Sequence, residues 1–165
     1  MTTNQPINVL VLCTGNSARS ILGEALFNHL GLGRVRAFSA GSQPKGEVNP
    51  HALKELEALG YPSTGFSSKS WDVFAEPAAP QMDFIFTVCD AAAGEQCPYW
   101  PGHPMTAHWG VEDPPAAGDE AAQRKAFQKA FGILKGRISR FAALPFEALT
   151  REQIAQQAEQ IGIDF

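Results

Sequence analysis

A run of β-branched and leucine residues, Val9-Leu10-Val11-Leu12, ends on Cys13-Thr14-Gly15-Asn16-Ser17-Ala18-Arg19-Ser20 and passes straight into Ile21-Leu22-Gly23-Glu24-Ala25-Leu26-Phe27. A continuous apolar run of this kind suits a central parallel strand covered on both faces, and the segment after the loop has helical spacing. Strand, short polar loop and helix in direct succession commit the chain to an α/β architecture. They also build a cradle for an anion. Backbone N–H groups of such a loop converge on a tetrahedral oxyanion, and the helix N-terminus adds its partial positive charge. Arg19 can grip two oxygens with its planar fork. The same field favours a thiolate, so Cys13 is expected to have a lowered pKa and to act as a nucleophile. Ser20, one step past the arginine, is placed to hydrogen-bond that thiolate. The alternative use of Cys13, a buried thiol closing a core strand, leaves Arg19 and Ser20 at these offsets without a reason.

The rest of the chain continues the alternation. Residues 7–12 form the first strand, and the helix after the loop runs to about Leu32, ended by Gly31 and Gly33. Val35 to Ala40 reads as a second strand. Asn49-Pro50 opens a helix carrying Leu53, Leu56 and Leu59, which Gly60 stops. Met82 to Val88 reads as a third buried strand, Met105 to Trp109 as a fourth, and Asp119 to Leu144 as a long helix. Strands alternating with helices predict a parallel sheet with ligands at the strand C-terminal ends. From Pro145 the chain changes character: Thr150-Arg151-Glu152-Gln153 resembles a capping box and precedes Ile154, Ala158, Ile161 and Ile163, an amphipathic helix. We expect one domain over residues 1–165, with 145–165 a C-terminal extension. Pro77 to Pro80 reads as a mobile loop.

Composition excludes several classes. The 165 residues carry a net charge of -4 with no basic cluster, which argues against nucleic acid as a partner. No apolar run approaches the roughly 20 residues of a membrane span. The polar start, Met1-Thr2-Thr3-Asn4-Gln5, is not a signal peptide. The expected compartment is the cytoplasm, where three cysteines point to catalysis, redox chemistry or metal binding rather than to a disulfide framework.

Chemistry-bearing residues recur at or just after the predicted strand ends. Cys89 follows the third strand in Phe86-Thr87-Val88-Cys89-Asp90, and Cys97-Pro98 comes eight residues later. The small, glycine-broken stretch between them can form a helical turn and also unwind. Asp113-Pro114 follows the fourth strand, and an acid before proline in a rigid loop over an anion site is a candidate general acid.

These motifs together resemble arsenate reductases of the low-molecular-weight tyrosine phosphatase type. The likeness rests on Val11-Leu12-Cys13-Thr14-Gly15-Asn16-Ser17-Ala18-Arg19-Ser20, Ser39-Ala40-Gly41, Asn49-Pro50, Cys89 with Cys97-Pro98, and His108-Trp109-Gly110 with Asp113-Pro114. It covers about residues 7 to 140. It implies a three-layer fold whose four-stranded parallel sheet has the order 2-1-3-4, with helices on both faces. The first loop alone fits phosphatases and reductases equally. Phosphatases of this type carry a tyrosine soon after the Asp-Pro pair, whereas here Pro115-Ala116-Ala117 follow, and they need no cysteine pair after the third strand. Reduction of arsenate needs two electrons, which thiols supply.

By that resemblance Thr14, Gly15, Asn16, Ser17, Ala18 and Arg19 bind the oxyanion, arsenate or its mimics phosphate and sulfate. Cys13 attacks arsenic, Asp113 protonates the departing hydroxide, Cys89 attacks Cys13 and Cys97 attacks Cys89, a cascade of thiol–disulfide exchanges with Arg19 and Ser20 assisting. The segment 89–98 has to move for this. Thioredoxin is the expected final reductant, with glutathione and glutaredoxin as the alternative through Cys89. No cofactor is implied. Some relatives look to bind potassium beside the loop through positions matching Asn16, Glu24, Ser39 and an aspartate. That last position falls on Lys69, whose ammonium group could stand in for the ion or simply be solvated.

Two other readings of the same chain stay open at this level. Phosphatase activity on phosphotyrosine or a small phosphomonoester would use Cys13, Arg19 and Asp113. A non-catalytic oxyanion or redox sensor would use the loop alone. Zinc binding by Cys89, Cys97, His103 and His108 is disfavoured by a cysteine interval wider than the usual two to four residues, so no metal site is expected. Trp71, Trp100 and Trp109 read as packing residues, and His29 and His51 as exposed helix residues.

Overall fold

The computed structural model describes residues 6–89, 104–112 and 118–165. Four parallel strands, β1 (Ile7–Cys13), β2 (Val35–Gly41), β3 (Phe84–Thr87) and β4 (Met105–His108), form one sheet in the order β2-β1-β3-β4. Four α-helices are present among the described residues: α1 (Arg19–Leu30), α2 (Pro50–Ala58), α3 (Glu120–Ala142) and α4 (Arg151–Asp164). The order agrees with the one the sequence motifs imply.

β1 is central because both of its faces are apolar. Val9, Val11 and Cys13 enter one buried cluster with Leu22, Leu26 and Phe27 of α1 and with α3 and α4. Leu10 and Leu12 point the other way, into a second cluster with Trp71, Phe74, Met82 and Ile85. This is the two-residue period of a pleated strand. Trp71 and Phe74 belong to a short 3-10 turn, Trp71–Ala75. Gly23 lets α1 lie close on the sheet, since a Cβ there would come within 3.0 Å of Val11 Cγ1.

The direction in which strands are added to the sheet switches at β1: the chain leaves β1 for β2 on one side, then crosses to β3 on the other. That creates a crevice at the C-terminal ends of β1 and β3, the place where ligands collect in open parallel sheets. β3 is shorter than the expected Met82 to Val88. Its ladder onto β1 is nevertheless extended by Asp83 N to Asn8 O (2.8 Å) and Val88 N to Leu12 O (2.9 Å), so Cys89 sits one residue past the last ladder bond.

Helix boundaries follow local chemistry. Asn49 Oδ1 accepts from His51 N at 2.8 Å and caps α2, with Pro50 in the first turn. Asp119 caps α3 through Ala122 N at 2.8 Å. At α4 the expected capping box is complete: Thr150 Oγ1 accepts from Gln153 N and Gln153 Oε1 accepts from Thr150 N.

The last helix is part of the core. Ile154, Ala158 and Ile161 are buried in the same cluster as the sheet, while Ile163 is 71% exposed. Ile163 was expected on the apolar face. It lies two positions beyond Ile161, about 200° further round a helix at 3.6 residues per turn, so it faces away. The Trp109 indole, fully buried among Phe27, Phe86 and Phe141, donates to Ala158 O at 2.8 Å. Gly162 makes the approach possible, because a Cβ there would be 2.6 Å from Trp109 Cδ1 and 2.9 Å from His108 O.

Gly162→Ala should therefore lower stability by about 1–3 kcal/mol, by overpacking α4 against β4. Gly132→Ala, at an exposed α3 position with open space around its Cα, should raise it by about 0.5–1 kcal/mol. Urea midpoints that move in the same direction for both would contradict this packing.

Candidate active site

The loop between β1 and α1 owes its shape to where its carbonyls go. Thr14 O accepts from Gln43 N (2.9 Å), Gly15 O from Lys45 N (3.0 Å) and Ser17 O from Asn49 N (2.8 Å). Ser68 Oγ also donates to Gly15 O at 3.1 Å. In a trans peptide the C=O of one residue and the N–H of the next point in opposite directions. Carbonyls tied outward thus turn the amides of Gly15, Asn16 and Ala18 inward. α1 adds to this, because Ala18 provides no side-chain cap and the first turn holds no acidic residue. The amides of that turn are left for a ligand. The result is a cavity of about 400 Å³ lined by Cys13, Thr14, Gly15, Ser17, Ala18, Arg19, Gln43 and Lys45.

Asn16 is the hinge of the loop. It is fully buried with φ 44°, a left-handed conformation that Asn tolerates better than most residues. Its Oδ1 accepts from Lys69 N (2.9 Å) and its Nδ2 donates to Ser20 Oγ (2.8 Å). Accepting from Asn16 leaves Ser20 its hydroxyl proton to donate. Gly41, at the end of β2, is required sterically: a Cβ would be 2.4 Å from Thr14 O and 2.8 Å from Cys13 O.

Behind the loop, Ser39 Oγ donates to Glu24 Oε1 at 2.5 Å. Burial raises the Glu24 pKa, while the Ser39 hydrogen bond and the positive charge of Lys69 pull it down. Burial lowers the Lys69 pKa, and Glu24 opposes that. Lys69 Nζ itself donates to Ser67 O at 2.8 Å. The structure therefore brings Asn16, Glu24, Ser39 and Lys69 into one supporting layer.

Cys13 and Cys89 are both buried, reduced cysteines. Cys89 Sγ lies 3.5 Å from Thr14 Oγ1 and hydrogen-bonds the Cys13 side chain. The expected lowering of the Cys13 pKa is corrected by this arrangement. Its pKa is pushed above the ordinary thiol range, first by the Cys89 hydrogen bond and then by burial, although the Arg19 guanidinium and the Gly15 amide pull it down. The cradle acts on the thiol as anticipated, but a second thiol in contact outweighs it.

Arg19 Nη1 donates to Val111 O at 2.9 Å, and Arg137 Nη1 donates to Gly110 O at 3.2 Å. Two guanidinium groups from different helices thus hold consecutive carbonyls of the segment leading to Asp113. Arg137 is buried, its pKa is lowered by that burial, and its Nε has no hydrogen-bond partner. Sequence reading missed Arg137, Gln43, Lys45 and Ser68. Cys97, Asp113, His103 and Trp100 lie outside the described residues. His108 Nδ1 pairs with Thr87 Oγ1 at 2.7 Å. Among the described residues no cluster of His, Cys, Asp and Glu could hold a metal ion, and no helix is long and apolar enough to cross a membrane.

A strand, a Cys-x5-Arg anion loop and a helix at the switch point of a 2-1-3-4 parallel sheet define a phosphatase-like class of fold. The family model for low molecular weight phosphotyrosine protein phosphatase matches residues 8–157. An arsenate reductase of Shouchella clausii is 33% identical over 135 residues, covering 81% of this chain and 94% of that protein. A solved arsenate reductase in its phosphate-binding state superposes with a TM-score of 0.68 at 25% identity, over 83% of this chain and 97% of the other. The Corynebacterium glutamicum thioredoxin-dependent arsenate reductase gives 0.59 at 25% identity, over 83% of this chain and 60% of that one. The chain belongs to the low molecular weight phosphotyrosine protein phosphatase family, in its arsenate reductase type.

Cys89→Ala should lower the pKa of Cys13, since it removes the largest influence raising it. Peptide mapping of iodoacetamide labelling against pH should show Cys13 reacting at a lower pH in the variant than in the wild type. An unchanged or higher midpoint would contradict the thiol–thiol contact.

Proposed function

We propose that this protein reduces arsenate to arsenite by a cysteine disulfide cascade. The observation that carries the reading is the buried Cys89 thiol, which lies 3.5 Å from Thr14 Oγ1 and acts on Cys13, behind the anion cavity that Cys13 and Thr14 line. Ester hydrolysis has no use for a second thiol there. Reduction needs that thiol in reach of the first.

Arsenate enters the cradle of inward amides and Arg19 holds two of its oxygens. Cys13 sulfur bonds to arsenic, and Asp113 protonates the hydroxide that leaves as water. Cys89 sulfur then bonds to Cys13 sulfur as the S–As bond breaks. Arsenic keeps that electron pair and departs as arsenite, so one As(V) becomes As(III) and two thiols become one disulfide. Cys97 attacks Cys89, releases the Cys13 thiolate and leaves a Cys89–Cys97 disulfide. Thioredoxin, a dithiol, restores both thiols; glutathione with glutaredoxin would do so if Cys97 took no part. Ser20, through the proton that its bond from Asn16 leaves it, stabilises Cys13 as a leaving thiolate. The cytoplasm, with its reducing thiol systems, is the compartment in which this cycle turns over.

Lys69 takes the place of a loop-supporting potassium ion in this scheme. Its backbone N–H holds Asn16, and its charge and that of Glu24 act on each other. Activity and melting temperature should then be the same in potassium and sodium at equal ionic strength. Lys69→Asp should introduce a preference between the two ions; a strong preference already present in the wild type would contradict the role.

The deciding assay sets arsenite formation with thioredoxin, thioredoxin reductase and NADPH beside p-nitrophenyl phosphate hydrolysis. Cys13→Ser should abolish both activities. Cys89→Ser and Cys97→Ser should each stop multiple-turnover arsenate reduction while leaving any ester hydrolysis intact. Phosphate-ester turnover without arsenite formation would assign the protein to phosphatase chemistry instead. Normal thioredoxin-coupled turnover in Cys97→Ser would place recycling on Cys89 alone.

A further inference from the structure

We infer that Lys45 is a specificity-determining residue of the anion cavity, which selects a bare tetrahedral oxyanion over its organic monoester. This rests on the oxyanion site proposed above and names what that site prefers.

Three observations converge on Lys45. It lines the cavity together with Cys13 and Arg19. Its stem runs alongside the anion loop, because a Cβ built on Gly15 would meet Lys45 Cε at 3.2 Å, Cγ at 3.3 Å and Cδ at 3.5 Å. Its root is fixed. Lys45 N donates to Gly15 O at 3.0 Å, and the next residue, Gly46, donates through N to Ser68 Oγ at 3.1 Å. The same Ser68 hydroxyl donates to Gly15 O at 3.1 Å. An exposed lysine ordinarily spreads over many rotamers. Here the backbone is tied to the anion loop and the stem lies over Gly15, so the ammonium group, one bond beyond Cε, is within reach of the cavity mouth.

The mouth is where a bare oxyanion and an ester differ. Inward amides and Arg19 take the oxygens nearest the loop. The remaining substituent lies opposite the attacking Cys13 sulfur and points outward. In arsenate or phosphate it is an oxygen that carries charge or a hydroxyl. In a monoester it is an ester oxygen bearing an organic group, with little charge to offer a cation. An ammonium group at the rim therefore stabilises the first ligand more than the second. Among the described lining residues Lys45 and Arg19 are the charged side chains.

The test is calorimetric titration of the reduced wild-type protein, Lys45→Met and Lys45→Arg with inorganic phosphate and with phenylphosphonate, at fixed pH and at several salt concentrations. Methionine keeps an unbranched stem over Gly15 and removes the charge; arginine keeps the charge. Lys45→Met should weaken phosphate by roughly five- to tenfold, as expected for one partly solvated charge contact. Phenylphosphonate should weaken by less than about twofold, because its outward substituent makes little use of the charge. Salt should weaken phosphate binding less steeply in Lys45→Met than in the wild type. Lys45→Arg should stay close to the wild type for both ligands. Equal weakening of the two ligands would reassign Lys45 to shaping the loop, and unchanged phosphate binding in Lys45→Met would remove it from the site. Neither readout needs turnover, so failure of arsenate reduction and failure of this assignment are separable.

Discussion

The anion cavity of this protein depends on the outward tethering of the Thr14, Gly15 and Ser17 carbonyls. Partners from the segment after β2 and from the start of α2 take those carbonyls, and Ser68 adds a hydroxyl. Once they are satisfied, the amides on the opposite side of each peptide are turned toward the cavity, where the Gly15 amide already meets the Cys13 sulfur. Buried backbone groups are rarely left unpaired, so an anion is the natural complement of this loop. Gly41 and the left-handed Asn16 are the local concessions that let the chain close so tightly.

The position of Cys89 sets a compromise. The second thiol stands just past the end of a ladder whose last bond is Val88 N to Leu12 O, beside Thr14 of the anion loop. Its hydrogen bond to Cys13 raises the Cys13 pKa and holds back the first attack. A phosphatase would gain by removing Cys89; a two-electron reductase cannot. The arrangement thus favours the electron-transfer role at the expense of the nucleophilic one. Arg19, which donates to Val111 O in this structure, also links the anion loop to the segment that carries Asp113.

Much of this was legible in the sequence, for identifiable reasons. Val9 to Leu12 reads as a doubly covered strand because its two faces are both apolar, and both are buried. Thr150 and Gln153 announce a helix start because a capping box is a local interaction of side chains three residues apart. The cradle itself follows from Cys13, Arg19 and their setting between strand and helix. Lys45, Ser68 and the amides of Gln43 and Asn49 were not legible, since a backbone N–H leaves no signature in residue type. Arg137 sits in a stretch rich in Lys and Arg with nothing in residue type to single it out, yet it is buried over Gly110. The Cys13 pKa was misjudged because its largest influence, Cys89, is 76 positions away in the chain and adjacent only in the fold.

The most direct test is a single turnover without external reductant. Fully reduced protein is mixed anaerobically with limiting arsenate, quenched in acid, and analysed for arsenite and for remaining thiols, with disulfides mapped by mass spectrometry. The expected result is two thiols lost per arsenite formed, with Cys13–Cys89 or Cys89–Cys97 as the linked pair and no arsenite from Cys13→Ser. Arsenite formed while all three cysteines remain thiols, or a mapped disulfide that excludes Cys89, would contradict the cascade.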